Sequence, residues 1–164
     1  SRAATDEDIV TLRTPLGTQV ALQTVRTFFE AVIGEDVSAL SIIVRPNAMN
    51  EDTRSGSRRR SLSIINMWSE RFRTREYQKL ATRLVYRDAD VMIYRSDQLA
   101  ALPLAARLRT STTAAGGSND LVLRVPIITH TVKNERLLGD EVFLWLERRE
   151  DSFVIAQTAE GVPF

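Results

Sequence analysis

The spacing of apolar residues changes character once along this chain, near residue 82, and that change restricts the fold more than any motif does. Before it, Val20, Leu22, Val25, Phe28, Phe29, Val32 and Ile33 recur at intervals of three and four. That spacing predicts an amphipathic helix capped by Thr18 and ended by Gly34. Asp36 can cap a second, shorter helix through Leu40, Ile42 and Ile43, which must stop before Pro46. A third helix carries Leu62, Ile65, Trp68 and Phe72 on one face and can continue, with a break near Thr74, through Tyr77 and Leu80. After the change the pattern is that of strands. Arg83–Tyr86 and Val91–Tyr94 read as two strands about the turn Asp88-Ala89-Asp90. Leu121–Thr131, Glu141–Glu147 and Phe153–Thr158 read as three more, the last two joined by the short polar connection 148–152. Pro126 moves part of the first of these to an edge or a bulge. Helices first and strands afterwards predict an α+β domain, with three N-terminal helices packed on a twisted, mainly antiparallel sheet of about four to six strands.

At 164 residues, 43% of them hydrophobic and 26% charged, the chain can bury one core and is organised as one domain. Residues 1–13 are polar and acidic at first and read as a tail, leaving 14–164 as the domain. Residues 46–60 hold little apolar material, and 110–120 are rich in Ser, Thr, Ala and Gly; both read as flexible loops. Residues 97–106 fit either a helical turn or a loop. The longest uninterrupted apolar run is Val142–Leu146, far short of a membrane span, and no charged and apolar leader is present. The absence of cysteine excludes disulfides, thiol catalysis, zinc fingers and iron–sulfur clusters, and one histidine excludes a histidine-rich metal site. No cofactor is expected. The composition suits a cytoplasmic bacterial protein and equally a trimmed exported domain.

Net charge is +1, so no global field draws in nucleic acid or an anionic membrane, and neither is expected as a partner. The distribution is nonetheless uneven. Residues 51–75 hold seven arginines against three acids, and residues 134–164 hold seven acids against three arginines. The basic stretch is either a phosphate- or partner-binding patch or a solvated loop and outer helix face. The lack of interleaved aromatics favours the second reading.

The candidate chemistry is sparse. His130 is the one side chain that titrates near neutrality at its ordinary pKa. In a strand it shares a face with Arg124 and Ile128, so it is either an acid/base group lining a pocket or a surface histidine at a strand end. Asp88 and Asp90 are either a carboxylate pair dividing acid and base roles or simply turn residues. Tyr86, Tyr94 and Trp145 can rim a pocket or belong to core or interface. Phe143 and Trp145 project from one face of a strand whose other face carries Val142, Leu144 and Leu146. Helices can cover only one of those faces, which predicts a homodimer through the other. No phosphate-binding glycine loop, Gly-x-Ser-x-Gly elbow, EF-hand or His-Glu-x-x-His pattern occurs.

Three stretches, Val25–Leu40, the aromatic helix around Trp68 and the closing hairpin Val142–Ala156, resemble the nuclear-transport-factor-2-like superfamily, which includes SnoaL-like proteins, ketosteroid isomerase and scytalone dehydratase. The resemblance implies a cystatin-like cone, its curved sheet wrapped around helices and its open end forming an apolar pocket for a small hydrophobic molecule. The pocket contacts then expected are Tyr86, Tyr94, Arg124, His130 and Trp68, with His130 and Asp90 as catalytic candidates and Phe143 and Trp145 at a homodimer interface. Non-catalytic binding of a small hydrophobic ligand is the expected function. The alternatives are a dimerising protein-interaction module and a cofactor-independent isomerase, dehydratase or hydrolase.

Overall fold

The structure, a computed structural model, describes residues 16–51, 61–95 and 120–161. Helix α1 (Leu16–Ile33) forms where the spacing of three and four collects Ala21, Val25, Phe28, Phe29 and Val32 on one buried side. Its C-terminus is a Schellman turn: Asp36 N–H donates to the Ala31 carbonyl at 2.9 Å and Glu35 N–H to the Val32 carbonyl at 3.1 Å. The left-handed residue of that turn is Glu35, at φ 54°, one place after the expected Gly34. A left-handed non-glycine residue costs roughly 1–2 kcal/mol. An offset is visible, because Glu35 Oε2 accepts the backbone N–H groups of Tyr77 at 2.8 Å and Gln78 at 3.4 Å.

Helix α2 (Val37–Ile43) is capped as expected, Asp36 Oδ1 accepting from Ala39 N–H at 3.0 Å. The following residues differ from expectation. Strand β1 (Val44–Glu51) occupies the first part of the interval expected to be a loop and pairs antiparallel with β2 (Ser61–Ser63). Its polar residues hid it: Asn50 and Glu51 are buried, and Asn50 Oδ1 accepts from the Thr158 hydroxyl at 2.6 Å. Pro46, which cannot donate to a ladder, falls where the register with the neighbouring strand shifts, beside Asn47 at φ 65°. Residues 52–60 lie outside the described residues, as do the expected tail 1–13, the segment 97–106 and all but Asp120 of the expected loop 110–120.

Helix α3 (Ile64–Thr74) is capped by the Ser63 hydroxyl and buries Ile64, Met67 and Trp68. A single 3₁₀ turn, Tyr77–Leu80, continues it after the expected break. Arg83–Tyr86 is not a strand. It forms no ladder, and a second 3₁₀ turn at Asp88–Asp90 precedes β3 (Met92–Arg95). Strand β4 (Leu121–Pro126) stops at its proline, five residues short of expectation, and Ile127 N–H turns away to the Asp140 carbonyl at 2.9 Å. A small hairpin follows, β5 (Thr131–Val132) and β6 (Glu135–Arg136), whose two-residue turn has both Lys133 and Asn134 at positive φ. Strands β7 (Glu141–Arg149) and β8 (Ser152–Glu160) form the closing hairpin and run longer than expected.

The main sheet has the order β2-β1-β8-β7-β4-β3. It is mixed: four of its five junctions are antiparallel, and β1 runs parallel to β8. Those two strands come from opposite ends of the described chain, so no short turn dictates their direction. One face carries Leu123, Val125, Val142, Leu144 and Ile155 into a core shared with α1, α2 and α3. The other carries a second buried cluster, Val122, Phe143, Trp145, Ala156 and Ala159. The protein is thus α+β, its described residues forming three helices on a six-stranded mixed sheet and a separate two-stranded one. No helix among the described residues is long and apolar enough to cross a membrane.

Candidate binding groove

Between the helices and the sheet, the described residues pack into one buried core cluster. Trp68 sits at its centre, edge-on to Phe28 with ring centroids 6.1 Å apart and to Tyr77 at 5.2 Å, with the Arg71 guanidinium 4.7 Å above its ring. The Tyr77 hydroxyl donates to the Leu137 carbonyl at 2.6 Å, and burial pushes its pKa up. Arg71 in turn binds Glu160 at 2.7 Å, with 11% and 7% of the two side chains exposed, and Gly139 N–H donates to the second Glu160 oxygen at 3.1 Å. This pair joins the basic stretch to the acidic one. Its neighbour Arg73 binds Glu70, so these members of the basic run are engaged within the chain. Arg54, Arg58, Arg59 and Arg60 lie outside the described residues.

An open recess lies elsewhere, between α1 and the unladdered segment 83–88, with a volume of about 500 Å³. One wall is a helical stripe, Arg26, Phe29, Glu30 and Ile33, and the other runs continuously from Arg83 to Asp88. Phe29 and Tyr86 form its floor, their rings tilted at 4.9 Å between centroids. Arg26 reaches across to Asp88 at 2.6 Å and ties the walls together at one end. Both partners are well exposed, so this tie fixes geometry more than it stabilises. Leu84 is 52% exposed and Ile128 41%. The two are held side by side, since Ile128 N–H donates to the Val85 carbonyl at 2.7 Å and the Thr129 hydroxyl to the Leu84 carbonyl at 2.8 Å. Burial, followed by the nearby Asp88 carboxylate, pushes the Tyr86 phenol up to about 12. At neutral pH it is therefore a hydrogen-bond donor and not a base.

Of the candidate residues singled out from sequence, Tyr86 and Asp88 line this groove. Tyr94 lies on β3 with its hydroxyl 3.3 Å from the Met92 sulfur. Arg124 faces away from the helices, because it pairs across the ladder with Phe143, and its Nε binds Glu141 at 2.6 Å. His130 does not share that strand face, since β4 has ended at Pro126. Its Nδ1 is 2.9 Å from the Thr131 hydroxyl and its Nε2 3.5 Å from Asp140, which Arg136 holds at 2.6 Å. Asp88 and Asp90 belong to a 3₁₀ turn and face different arginines, Arg26 and Arg87, the latter at 3.7 Å. Among the described residues no hydrogen bond links His130 or Asp90 to either tyrosine. Nor does any group of three His, Asp or Glu there suit a metal ion.

Phe143 and Trp145, expected at a dimer interface, are 1% and 0% exposed in the single chain. Both belong to the second buried cluster, with Val122, Ala156 and Ala159. Arg26 and Glu30 were not singled out from the sequence, although they lie four apart on α1 beside the apolar pair Phe29 and Ile33, at the border of the core-facing stripe. No model of a known protein family matches the chain, and a search of the curated proteins finds no match.

Proposed function

We propose that this chain is a non-catalytic binding domain and that its binding surface is the groove between α1 and segment 83–88. The observation that carries the reading is a contrast in packing. The interior around Trp68 is a buried cluster of aromatic rings, whereas Ile33, Leu84 and Tyr86 present apolar surface to an open recess whose lining carries Arg26, Arg83 and Arg87 against Glu30 and Asp88. Small-molecule pockets bury most of their ligand. This recess is open along its length and suits an apolar group presented by something larger. The scattered positions of His130, Asp90, Tyr86 and Tyr94 supply no acid/base pair, which argues against the isomerase, dehydratase and hydrolase alternatives. Membership of the nuclear-transport-factor-2-like superfamily is part of the proposal. It is supported by the strand pair β1–β2 between the second and third helices, a feature its members commonly carry.

The test is a titration of ¹⁵N-labelled protein with 1-anilinonaphthalene-8-sulfonate, an apolar ring system bearing one negative charge. Saturable shifts should concentrate at Phe29, Ile33, Leu84 and Tyr86, and Leu84→Asp should weaken binding at least tenfold while leaving the unfolding midpoint in place. Shifts elsewhere, or a Leu84→Asp variant that binds as well as the parent, would refute the reading.

A further inference from the structure

The segment Leu84-Val85-Tyr86-Arg87 has the composition of a strand and lacks a strand's hydrogen bonds. Its β-branched and aromatic residues predict a ladder, yet none of its four backbone N–H groups finds an acceptor within the described residues. Its bonded carbonyls point to neighbouring turns, Val85 to Ile128 N–H, Leu84 to the Thr129 hydroxyl and Arg87 to Asp90 N–H, while the Tyr86 carbonyl is unbonded. Arg87 is already extended, at φ −120° and ψ 138°. Unpaired backbone beside an apolar recess is a template for strand addition, in which main-chain bonds give affinity and alternate side chains give specificity. Charge adds a second constraint. Arg83 has no ion-pair partner among the described residues, and the Arg87 guanidinium is 3.7 Å from Asp90, an exposed and loose pairing.

We infer that segment 84–87 receives an extended acidic peptide as an added strand, with apolar side chains entering the groove over Phe29 and Tyr86 and carboxylates meeting Arg83 and Arg87. This rests on the groove being the binding surface and goes beyond it by naming the partner's backbone conformation and charge. A short peptide suffices, because Val85 is buried and its carbonyl is taken by Ile128 N–H, which leaves Leu84, Tyr86 and Arg87 as the residues a partner can reach.

The experiment uses the full chain, ¹⁵N-labelled, and a blocked octapeptide in which valine alternates with threonine and aspartate. Binding should shift the Leu84–Arg87 and Ile128 resonances saturably and slow hydrogen exchange at least tenfold at the alternate amides Leu84 and Tyr86, since Val85 faces Ile128. Replacing the aspartates by lysine should weaken binding severalfold at low salt, and N-methylating alternate peptide amides should abolish it. Equal binding by the N-methylated peptide overturns strand addition and leaves the groove reading standing. So does an absence of binding at millimolar peptide while the anilinonaphthalene dye still occupies the groove. If neither probe binds, both readings fall. Protection of the 84–87 amides that appears without peptide and grows with protein concentration makes a second copy the occupant, and it too overturns the acidic-peptide assignment.

Discussion

Two stretches of this chain, Val142–Leu146 and Leu84–Arg87, carry much the same strand-forming chemistry and meet opposite fates. The first lies in β7, laddered to β4 on one side and β8 on the other, with both its faces buried. The second makes no ladder, has one carbonyl bonded to a backbone N–H outside its own turn, and leaves Leu84 half in water. Side-chain preference for a pleated surface is satisfied only where a partner edge exists. The closing hairpin supplies its own edge through the two-residue turn Glu150-Asp151, whereas segment 84–87 is flanked by 3₁₀ turns that pair with nothing. The difference is one of available partners, and it leaves a strand-prone sequence at the surface beside an apolar recess.

The largest consequence of that difference is energetic. Trp145→Ala should cost about 3–5 kcal/mol in urea unfolding, the range for deleting a fully buried large aromatic, whereas Leu84→Ala should stay within about 0.5 kcal/mol. Comparable costs at the two positions would erase the distinction. Next is the anchor at the far end of the hairpin. Removing one partner of the buried Arg71–Glu160 pair, as in Glu160→Ala, should cost about 3 kcal/mol or more by removing the carboxylate that Arg71 binds at 2.7 Å. Arg71→Met combined with Glu160→Leu should recover much of the loss, and a double variant as damaged as the sum of the singles would show the pair is not coupled.

A smaller effect is expected upstream of segment 84–87. Glu35→Ala removes the carboxylate that accepts the Tyr77 and Gln78 N–H groups and keeps the left-handed backbone, for a loss of roughly 1–2 kcal/mol. Glu35→Gln, which retains an acceptor, should lose less, and equal losses would mean the contact is incidental. The smallest effect is in pH. Folding raises the Tyr86 pKa from 10.0 to about 12, so the folded state keeps this proton longer than the unfolded chain. Its contribution is therefore flat below about pH 10 and is lost as pH rises towards 12. Absorbance titration of tyrosinate should show two late-ionising tyrosines, Tyr77 and Tyr86, and Tyr86→Phe should remove one of them; an unchanged late amplitude in that variant would contradict the assignment.

What was legible in the sequence followed local chemistry. The α1 stripe, the Asp36 cap, the break after Thr74 and the closing hairpin each depend on residues close in the chain, and each is where the pattern placed it, within two or three residues. What was not legible depended on distant partners. Strand β1 reads as a loop because Asn50 and Glu51 are polar, and it becomes a strand because β8, more than a hundred residues later, supplies a parallel edge and the Thr158 hydroxyl. Arg83–Tyr86 fails in the opposite sense, its chemistry right and its partner missing. The site was legible only in Tyr86 and Asp88. Pro126 removes His130 from the face of Arg124, and that face turns away from the helices, so the expected set never converges.

The most direct test of this account is backbone hydrogen exchange measured residue by residue on dilute, unliganded protein. The amides of Val142–Leu146 should be protected close to the global unfolding free energy, and those of Leu84, Tyr86 and Arg87 should exchange within about tenfold of unstructured-peptide rates. Strong protection of Leu84–Arg87 at low protein concentration would show that the segment is already hydrogen-bonded within the single chain, and would contradict the claim that it is an open edge.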